Sequence, residues 1–291
     1  MLGAIDIGTN STRLLIAEVK EGKIKPVFTQ LRTTRMGEGL IHTGELAEPA
    51  MERTCLALKE YKAKMEELKV ERFQVVATSA VRDAVNREPF ITRVFSETGF
   101  KVDVISGEEE AALSYEGVAG AMAITDSYVV VDIGGGSTEF IWAAPTGKVE
   151  AYSMQVGAVR MTESQAGIEE IRSLLEPALA KIRQGGITKL IGVGGTITTV
   201  AAIIQGLKVY DPDKVQGFVI DGDEVEALLG QLQAMTLAQR REVPGLQPQR
   251  ADIICAGITI LTQVLRGSDL NRITASEADI LYGIIYGLSR L

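Results

Sequence analysis

One short pattern occurs twice in this chain of 291 residues and restricts its fold more than any other feature. An apolar run ends in Asp-Ile-Gly and is followed by a turn with hydroxyl side chains, first at Ala4–Val19 and again at Val130–Pro145. The two copies align at a constant offset of 126 residues (132 − 6). A repeat of this kind indicates one supersecondary unit used twice, so we expect two domains that begin alike.

The second copy indicates what each part of the pattern can do. Residues 129–133 are mostly β-branched, which predicts a strand buried on both faces. The three glycines at 134–136 lack a Cβ, so their backbone N–H groups can approach an anion closely. Glycines alone would also fit a plain β-hairpin turn. The repetition favours two hairpin turns that face each other across a cleft and clamp one phosphate group.

Composition and charge exclude several classes of protein. With 46% hydrophobic residues, the chain can bury the cores of two domains. No apolar run is long enough for a membrane span or a signal peptide, so we expect a cytoplasmic protein with no membrane partner. The formal net charge of −8 argues against nucleic acid as a partner. His42 is the single histidine, which excludes His-rich metal sites, and Cys55 and Cys255 are expected to be free thiols.

Strand patterns surround both copies of the motif. The stretches Leu2–Ile7, Thr12–Val19 and Lys23–Thr33 are typical of three strands joined by tight turns. The second copy is followed by a comparable strand at Lys148–Gln155. Between the copies, Leu46–Val70 has the apolar period of a helix. We therefore predict a three-stranded meander at the start of each domain.

A possible anion site follows the strand predicted at Phe73–Ala77. Thr78 and Ser79 come directly after this strand, and Arg82 lies one turn into a predicted helix. A helix start presents free N–H groups to anions, and a guanidinium there can bind phosphate oxygens with two bonds. A surface ion pair between Arg82 and Asp83 is the structural alternative.

A third glycine-rich segment has the same context. Gly194, Gly195 and Thr196 follow a strand predicted at Lys189–Val193 and open a helix. Its first N–H groups would also be available to an anion. We expect it to bind phosphate or the tail of a substrate.

Three consecutive acids, Glu108, Glu109 and Glu110, begin a helix predicted over Ser106–Gly120. Ser106 and Glu109 have the spacing of a capping box, which gives Glu109 a sufficient structural role. The positive end of the helix dipole favours the other two acids. The residue pattern alone does not indicate which of the three is catalytic.

Five segments occur together in one order along most of the chain. They are AIDIGTNSTRLLI (Ala4–Ile16), ATSAVRDA (Ala77–Ala84), ISGEEEA (Ile105–Ala111), VVDIGGGSTEF (Val130–Phe140) and GVGGTITT (Gly192–Thr199). With these segments the chain resembles the exopolyphosphatase and guanosine pentaphosphate phosphatase family, within the superfamily of actin-like ATPases and sugar kinases. ATSAVRDA and ISGEEEA are the specific segments, because the Asp-Ile-Gly motifs alone indicate only the superfamily. Ala278 and Leu281 depart from the family pattern, which usually has a glycine and an arginine near there.

The resemblance implies Mg²⁺-dependent hydrolysis of a terminal phosphoanhydride by water. The family's catalytic glutamate is the last acid before the alanine, here Glu110, and its arginine in contact with substrate phosphate is Arg82. Asp132 is the first expected metal ligand, with Glu139 as a second acid and Asp6 acting through water. The expected phosphate-binding residues are Gly8, Thr9, Asn10, Ser11, Arg13, Gly134, Gly135, Gly136, Ser137, Thr138, Gly194, Gly195 and Thr196.

We therefore expect an α/β fold of two actin-like (ribonuclease H-like) lobes with the active site in the cleft between them. The expected domains are an N-terminal lobe over 1–120, a C-terminal lobe over 121–275, and a terminal helix over 276–291 that returns to the first lobe. The rival functions are an ATP-dependent kinase on the same frame and a nucleotide-gated binding protein of the chaperone or filament type. No motif demands a purine site or an acceptor pocket, and the length leaves no spare domain for polymer contacts.

For the substrate we predict inorganic polyphosphate, with short chains preferred because the chain ends at Leu291 without the C-terminal extension of longer relatives. Aromatic residues are only 5% of the chain, which is few for stacking on guanine. A polyphosphate tail needs only spaced cations, which Arg13, Arg32, Arg35 and Arg82 could supply. Guanosine pentaphosphate stays the alternative because it offers the same terminal bond. The oligomeric state cannot be read from the sequence, and a homodimer is left open.

Overall fold

The computed structural model describes residues 1–122, 124, 127–143 and 149–291. Its strands are β1 (Leu2–Ile7), β2 (Thr12–Lys20), β3 (Lys23–Arg32), β4 (Arg72–Ala77), β5 (Val102–Val104), β6 (Tyr128–Ile133), β7 (Thr138–Ala143), β8 (Val149–Met154), β9 (Lys189–Val193), β10 (Val219–Asp221) and β11 (Arg272–Ala275). Its helices are α1 (Leu40–Thr43), α2 (Glu48–Glu67), α3 (Ser79–Asp83), α4 (Arg87–Thr98), α5 (Gly107–Ala121), α6 (Ala158–Glu163), α7 (Ile168–Gln184), α8 (Gly194–Ile204), α9 (Pro212–Val215), α10 (Gly222–Ala234), α11 (Leu237–Arg241), α12 (Ile254–Ser268) and α13 (Ile280–Ser289), with a 3-10 helix at Pro248–Arg250. Lys148, the first residue of one predicted strand, lies outside the described residues. None of the described helices combines the length and apolar character needed to cross a membrane.

The chain divides into two compact units. Unit 1 consists of Met1–Ala123 together with Asp279–Leu291, and unit 2 consists of Ile124–Ala278. Unit 2 is therefore continuous in sequence, whereas unit 1 is built from both ends of the chain. The expected limits at residues 120 and 275 each lie three residues before these divisions (123 − 120 and 278 − 275).

The described strands of unit 1 form a five-stranded sheet in the order β3-β2-β1-β4-β5. The β1–β2 and β2–β3 pairs are antiparallel, and the β1–β4 and β4–β5 pairs are parallel. Successive side chains of a strand point to opposite faces. Ile5 and Ile7 of β1 belong to the core that includes Tyr61 of α2, while Leu2 and Ala4 belong to the core that includes residues of α13. Helices thus cover both faces, and all of β1 is buried.

The described strands of unit 2 repeat this plan in the order β10-β11-β9-β6-β7-β8. The part β8-β7-β6-β9-β11 has the same order and the same strand directions as the sheet of unit 1. Strand β10 is added at the edge, antiparallel to β11. The repeat predicted from the two short motifs is therefore a repeat of the sheet topology.

Helix α13 packs on helix α5 of unit 1 with direct backbone contact. A Cβ on Gly283 would lie 2.0 Å from the carbonyl oxygen of Leu113, and one on Gly117 would lie 2.1 Å from the carbonyl oxygen of Asp279. Both positions require glycine because no larger residue leaves room for the facing backbone. This packing fixes the first residues of the returning segment against unit 1.

Gly283→Ala should lower the free energy of unfolding by about 1–3 kcal/mol, because the added methyl group forces the two helix backbones apart. Gly287→Ala is the matched control in the same helix, where nothing lies within 4 Å of the added Cβ. Alanine inside a helix should there raise stability by about 0.5–1 kcal/mol. Urea unfolding of both variants measures the difference, and equal stabilities would contradict the packing through Gly283.

Candidate active site

The first turn (Gly8–Ser11) joins β1 to β2 in unit 1. The amide of Gly8 donates to the carbonyl of Ser11 at 3.0 Å, which closes the turn. The carbonyls of residues 9 and 10 accept hydrogen bonds from the amides of Gly37 and Arg35, each at 2.9 Å. The segment after β3 therefore holds the carbonyl side of the turn.

The second turn (Gly134–Ser137) joins β6 to β7 in unit 2 and has the same geometry. The amide of Gly134 donates to the carbonyl of Ser137, again at 3.0 Å. The carbonyls of residues 134 and 135 accept from the amides of Ala158 and Val159 at 3.0 and 2.8 Å. The Arg160 Nε donates to the carbonyl of residue 136 at 2.8 Å. The start of α6 thus takes the role that the segment after β3 has in unit 1.

Apart from the amide that closes each turn, the backbone amides of the two turns, unlike the carbonyls, are not used in hydrogen bonds to the backbone of the described residues. In the described part of the chain, the amides of residues 9–11 and 135–137 donate to no backbone carbonyl. Ser11 and Ser137 are nevertheless only 8% and 2% exposed. Amides in such largely buried residues need an acceptor, and consecutive backbone amides of a turn can form a concavity suited to an anion. Each turn can therefore bind one phosphate group through its backbone.

Equivalent positions next to the two turns carry different charges. Asp6 faces Arg13 directly across β1 and β2, and Asp132 faces Glu139 directly across β6 and β7. Both pairs are related by the repeat offset of 126 (132 − 6 and 139 − 13). Directly opposed residues lie within side-chain contact of each other. Beside its turn, unit 1 therefore has an aspartate opposite an arginine, whereas unit 2 has an aspartate opposite a glutamate.

Arg13 is held by two buried carboxylates of unit 1. Its Nε and Nη2 donate to the Asp6 Oδ2 at 3.1 and 2.8 Å, and its Nη1 donates to the Asp279 Oδ2. Burial disfavours the charged guanidinium, but Asp279 and Asp6 outweigh this effect and raise the pKa of Arg13. We expected Arg13 to bind substrate phosphate. In the structure the guanidinium pairs with both carboxylates, and binding of phosphate by Arg13 stays a prediction.

The Asp6 carboxylate combines a bound oxygen with an unsatisfied one. Burial raises the pKa of Asp6, and Arg13 acts in the opposite direction. The Asp6 Oδ1 is buried and has no hydrogen-bond partner among the described residues. Such an oxygen indicates a place for a donor that the protein itself does not supply.

Asp132 and Glu139 form the most suitable pair of metal ligands in unit 2. Glu139 is 1% exposed and accepts a hydrogen bond from the Ser153 Oγ at 2.7 Å. The Asp132 Oδ1 lies 2.6 Å from the position of a Cβ on Gly194, which has a φ of +85° that glycine adopts without strain. The described residues include no group of three or more His, Cys, Asp or Glu side chains that could hold a metal. Two carboxylates fit Mg²⁺, which commonly keeps several waters and binds substrate phosphates as well.

Thr138 has a structural partner. Its Oγ1 donates to the carbonyl of Val156 at 2.6 Å, and Thr138 is fully buried. At the equivalent place in unit 1, the hydroxyls of Thr12 and Thr34 are bonded at 2.9 Å. A hydroxyl has only one proton to donate. The proton of Thr138 is therefore not available to the phosphate oxygen for which we expected it.

The two residues predicted as catalytic are in contact within unit 1. The Arg82 Nη1 donates to the Glu110 Oε2 at 2.9 Å and to the carbonyl of Ile105 at 3.1 Å. The side chains of Arg82 and Glu110 are 19% and 13% exposed, so this ion pair is largely shielded from water. The Arg82 Nε lies 3.8 Å from the Asp83 Oδ1, so the pair that was the structural alternative is the longer of the two. Arg82 lies one turn into α3, as predicted, and this helix has five residues.

The capping box at the start of α5 is confirmed. The Glu109 amide donates to the Ser106 Oγ at 3.1 Å, and the Ser106 amide donates to the Glu109 Oε2 at 2.8 Å. The hydrogen bonds from Ser106 lower the pKa of Glu109. Glu109 is thus engaged at the helix end, while the next acid, Glu110, reaches Arg82.

The third glycine-rich segment opens α8 as predicted, and it lies beside a cation that the sequence did not indicate. A Cβ on Gly195 would lie 1.8 Å from the Arg250 Nη1, so the guanidinium occupies the space that the missing side chain leaves. Asp279 is the second residue that was missed. Asp279 lies between Ala278 and Leu281, the two residues that depart from the family pattern. No sequence pattern indicates its pairing with Arg13. Arg250 is isolated in a segment without periodicity, so no sequence pattern indicates it either.

These features define an α/β protein with a duplicated sheet, a turn of the same geometry in each copy, and a part-buried arginine–glutamate pair. The sequence profile of the Ppx/GppA phosphatase family matches residues 15–290, and the chain belongs to this family. Exopolyphosphatase 2 of Mycobacterium tuberculosis is 34% identical, with 99% of this chain and 98% of that protein covered.

Two further relatives support the assignment. The crystal structure of an exopolyphosphatase from Cytophaga hutchinsonii superimposes with a TM-score of 0.90, at 29% identity and over 99% of this chain and 97% of that one. A guanosine-5'-triphosphate,3'-diphosphate pyrophosphatase of Photobacterium profundum is 29% identical over 98% of this chain and 59% of its own length. The family and the fold of two actin-like lobes predicted from the sequence are therefore confirmed.

A matched pair of substitutions tests the charge difference between the repeats. Arg13→Gln leaves two buried carboxylates without a cation and should lower the free energy of unfolding by about 3–5 kcal/mol. Glu139→Gln, at the equivalent position, removes one of two neighbouring like charges and should change stability by less than about 1 kcal/mol, in the stabilising direction. Urea unfolding at neutral pH in EDTA compares them. A loss in Glu139→Gln as large as in Arg13→Gln would contradict the assigned difference.

Proposed function

We propose that this protein is a hydrolase of terminal phosphoanhydride bonds that acts as an exopolyphosphatase on inorganic polyphosphate, in particular on short chains. The observation that carries the proposal is the pair of turns whose carbonyls accept hydrogen bonds within the protein, while the described amides of residues 9–11 and 135–137 donate to no backbone carbonyl. A relative named exopolyphosphatase matches over nearly the full length of both chains, which supports the same substrate class. In this proposal the turns contact phosphate groups and no nucleotide base, as expected for a substrate made only of phosphate.

In the proposed reaction a water molecule attacks the terminal phosphorus while the bond to the bridging oxygen breaks. Orthophosphate and a chain shorter by one phosphate are the products. Glu110 accepts a proton from the attacking water, and the turn amides and Arg82 stabilise the charge on the transferred phosphoryl group. A bound phosphate competes with Glu110 for Arg82, so substrate binding itself would release the carboxylate for its role as base.

The proposed cofactor is Mg²⁺, held by Asp132 and Glu139. Two carboxylates on directly opposed positions repel each other unless a cation lies between them or next to them. When bound, Mg²⁺ would neutralise negative charge on the phosphate oxygens. Asp6 is less suited to hold it, because Arg13 already supplies a positive charge to that carboxylate.

Guanosine pentaphosphate is the second candidate substrate. The relative from Photobacterium profundum is named for a guanosine substrate, and that substrate ends in the same type of bond. The kinase and the nucleotide-gated binding protein have no comparable support, because the matching family is one of phosphatases. A shared active site in a cleft between the units, a cytoplasmic location and a homodimer stay predictions.

Phosphate release from tripolyphosphate, longer polyphosphates, guanosine pentaphosphate and ATP tests the proposal. We expect the highest kcat/KM for short polyphosphates, and activity that depends on Mg²⁺ and is lost in EDTA. Asp132→Ala should require more Mg²⁺ than the wild type because one of two ligands is gone. A clear preference for guanosine pentaphosphate would make that nucleotide the assigned substrate in place of polyphosphate. Activity only on ATP with an acceptor would overturn the hydrolytic proposal.

Glu110→Gln keeps the size of the side chain and removes the base, so turnover should fall by roughly 10²- to 10⁴-fold while substrate still binds. Glu109→Gln is the matched control, because Glu109 is used in the capping box. That variant should keep its turnover and lose at most about 1 kcal/mol of stability. Steady-state phosphate release and thermal unfolding compare the two. Normal turnover in Glu110→Gln, or a greater loss in Glu109→Gln, would move the base to another acid.

A further inference from the structure

Asp279 lies where the chain re-enters unit 1. It is the first residue of the returning segment and the N-cap of α13, where its Oδ1 accepts a hydrogen bond from the Leu281 amide at 3.0 Å. Its Oδ2 accepts from the Arg13 Nη1, and the residue is 5% exposed. Both carboxylate oxygens are thus used, one for the helix and one for Arg13.

The position of Asp279 is fixed by backbone packing. The missing side chains of Gly117 and Gly283 let α5 and α13 approach until the Asp279 carbonyl oxygen would lie 2.1 Å from a Cβ on Gly117. A carboxylate on so constrained a residue is a rigid anchor for the guanidinium it binds. On its other side, the Arg13 guanidinium donates two hydrogen bonds, from Nε and Nη2, to the Asp6 Oδ2. The planar guanidinium transmits this anchoring because its donors have a fixed geometry.

Asp6 lies next to the first turn, which carries the proposed phosphate site. A Cβ on Gly8 would lie 3.8 and 3.9 Å from the Asp6 Oδ2 and Oδ1. An arginine with one carboxylate partner could exchange that partner for a nearby phosphate. The second carboxylate, Asp279, keeps the Arg13 guanidinium next to Asp6. In the repeat of unit 2, Glu139 takes the place of Arg13 opposite Asp132.

We propose that Asp279 is a positioning residue which, through Arg13, holds the Asp6 carboxylate in place beside the first turn. The inference rests on the proposed function, because it assigns this anchoring a role in hydrolysis at that turn. Correct placement of Asp6 then depends on the docking of α13 and on the charge of Asp279. The expected effect is on turnover and not on substrate affinity, because the turn amides that would bind phosphate are untouched.

Asp279→Asn tests this with its N-cap function preserved, since asparagine caps helices as well as aspartate does. Asp221→Asn is the matched control, because Asp221 caps α10 through the Asp223 amide and pairs with Arg272 at 3.2 Å in unit 2. With tripolyphosphate, kcat of Asp279→Asn should fall roughly tenfold and KM should change less than about twofold. Asp221→Asn should keep both constants. Equal losses in the two variants, or a lower KM with unchanged kcat in Asp279→Asn, would overturn the proposal.

A double-mutant cycle tests whether Asp279 acts through Arg13. Arg13→Lys keeps the charge but cannot bridge two carboxylates with fixed donors. If the effect passes through Arg13, the double variant Arg13→Lys/Asp279→Asn should lose no more turnover than Arg13→Lys alone. Multiplying losses would show that Asp279 acts independently and would overturn the proposed route.

Hydrogen exchange gives a readout that needs no activity. Amides of residues 5–7 and 12–14, at the ends of β1 and β2 that carry Asp6 and Arg13, should exchange faster in Asp279→Asn than in the wild type and in Asp221→Asn, while those of α13 stay protected. Loss of protection throughout α13 would assign Asp279 a purely structural role and overturn the proposal. A wild type that releases no phosphate from any substrate would refute the proposed function, and the exchange measurement would still decide whether Asp279 holds Asp6 in place.

Discussion

The charge balance around Arg13 is the interaction on which the rest of unit 1 depends. One guanidinium lies against two buried carboxylates, Asp6 and Asp279, which would be costly to bury without it. The three residues belong to β1, β2 and the cap of α13, and Arg13 and Asp279 are 266 positions apart in sequence. This contact therefore joins the turn at the start of the chain to the helix near its end. The glycine contacts between α5 and α13 supply the shape that makes it possible.

The two repeats share a backbone and differ in electrostatics. Both hairpins have the same sheet order, and both turns are closed by the same amide-to-carbonyl bond at 3.0 Å. A single exchange, arginine at 13 against glutamate at 139, changes what the neighbouring aspartate requires. The first copy carries an arginine of the protein beside its aspartate, whereas the second has a glutamate at that place. Under the proposed function, Mg²⁺ would add a positive charge beside the second copy.

Local patterns predicted most of the fold and the outline of the site. The strands beside the two motifs, the capping box of Glu109 and the helix opened by Gly194 are specified by neighbouring residues, so the sequence indicates them directly. The pairing of Arg13 with Asp279 and the position of Arg250 over Gly195 join segments that only the folded chain brings together. Such contacts leave no periodic signal, and they decide which predicted cations are already engaged.

The same division of the chain has a consequence for biosynthesis. Unit 2 is one continuous stretch, Ile124–Ala278, and can bury its core as soon as it leaves the ribosome. The sheet of unit 1 is synthesised first, but the face of β1 that carries Leu2 and Ala4 is covered by α13, which emerges only after unit 2. Until then this apolar face lies open to other chains and to chaperones. The domain translated first is thus completed last, and delays in translating unit 2 lengthen its exposure to aggregation.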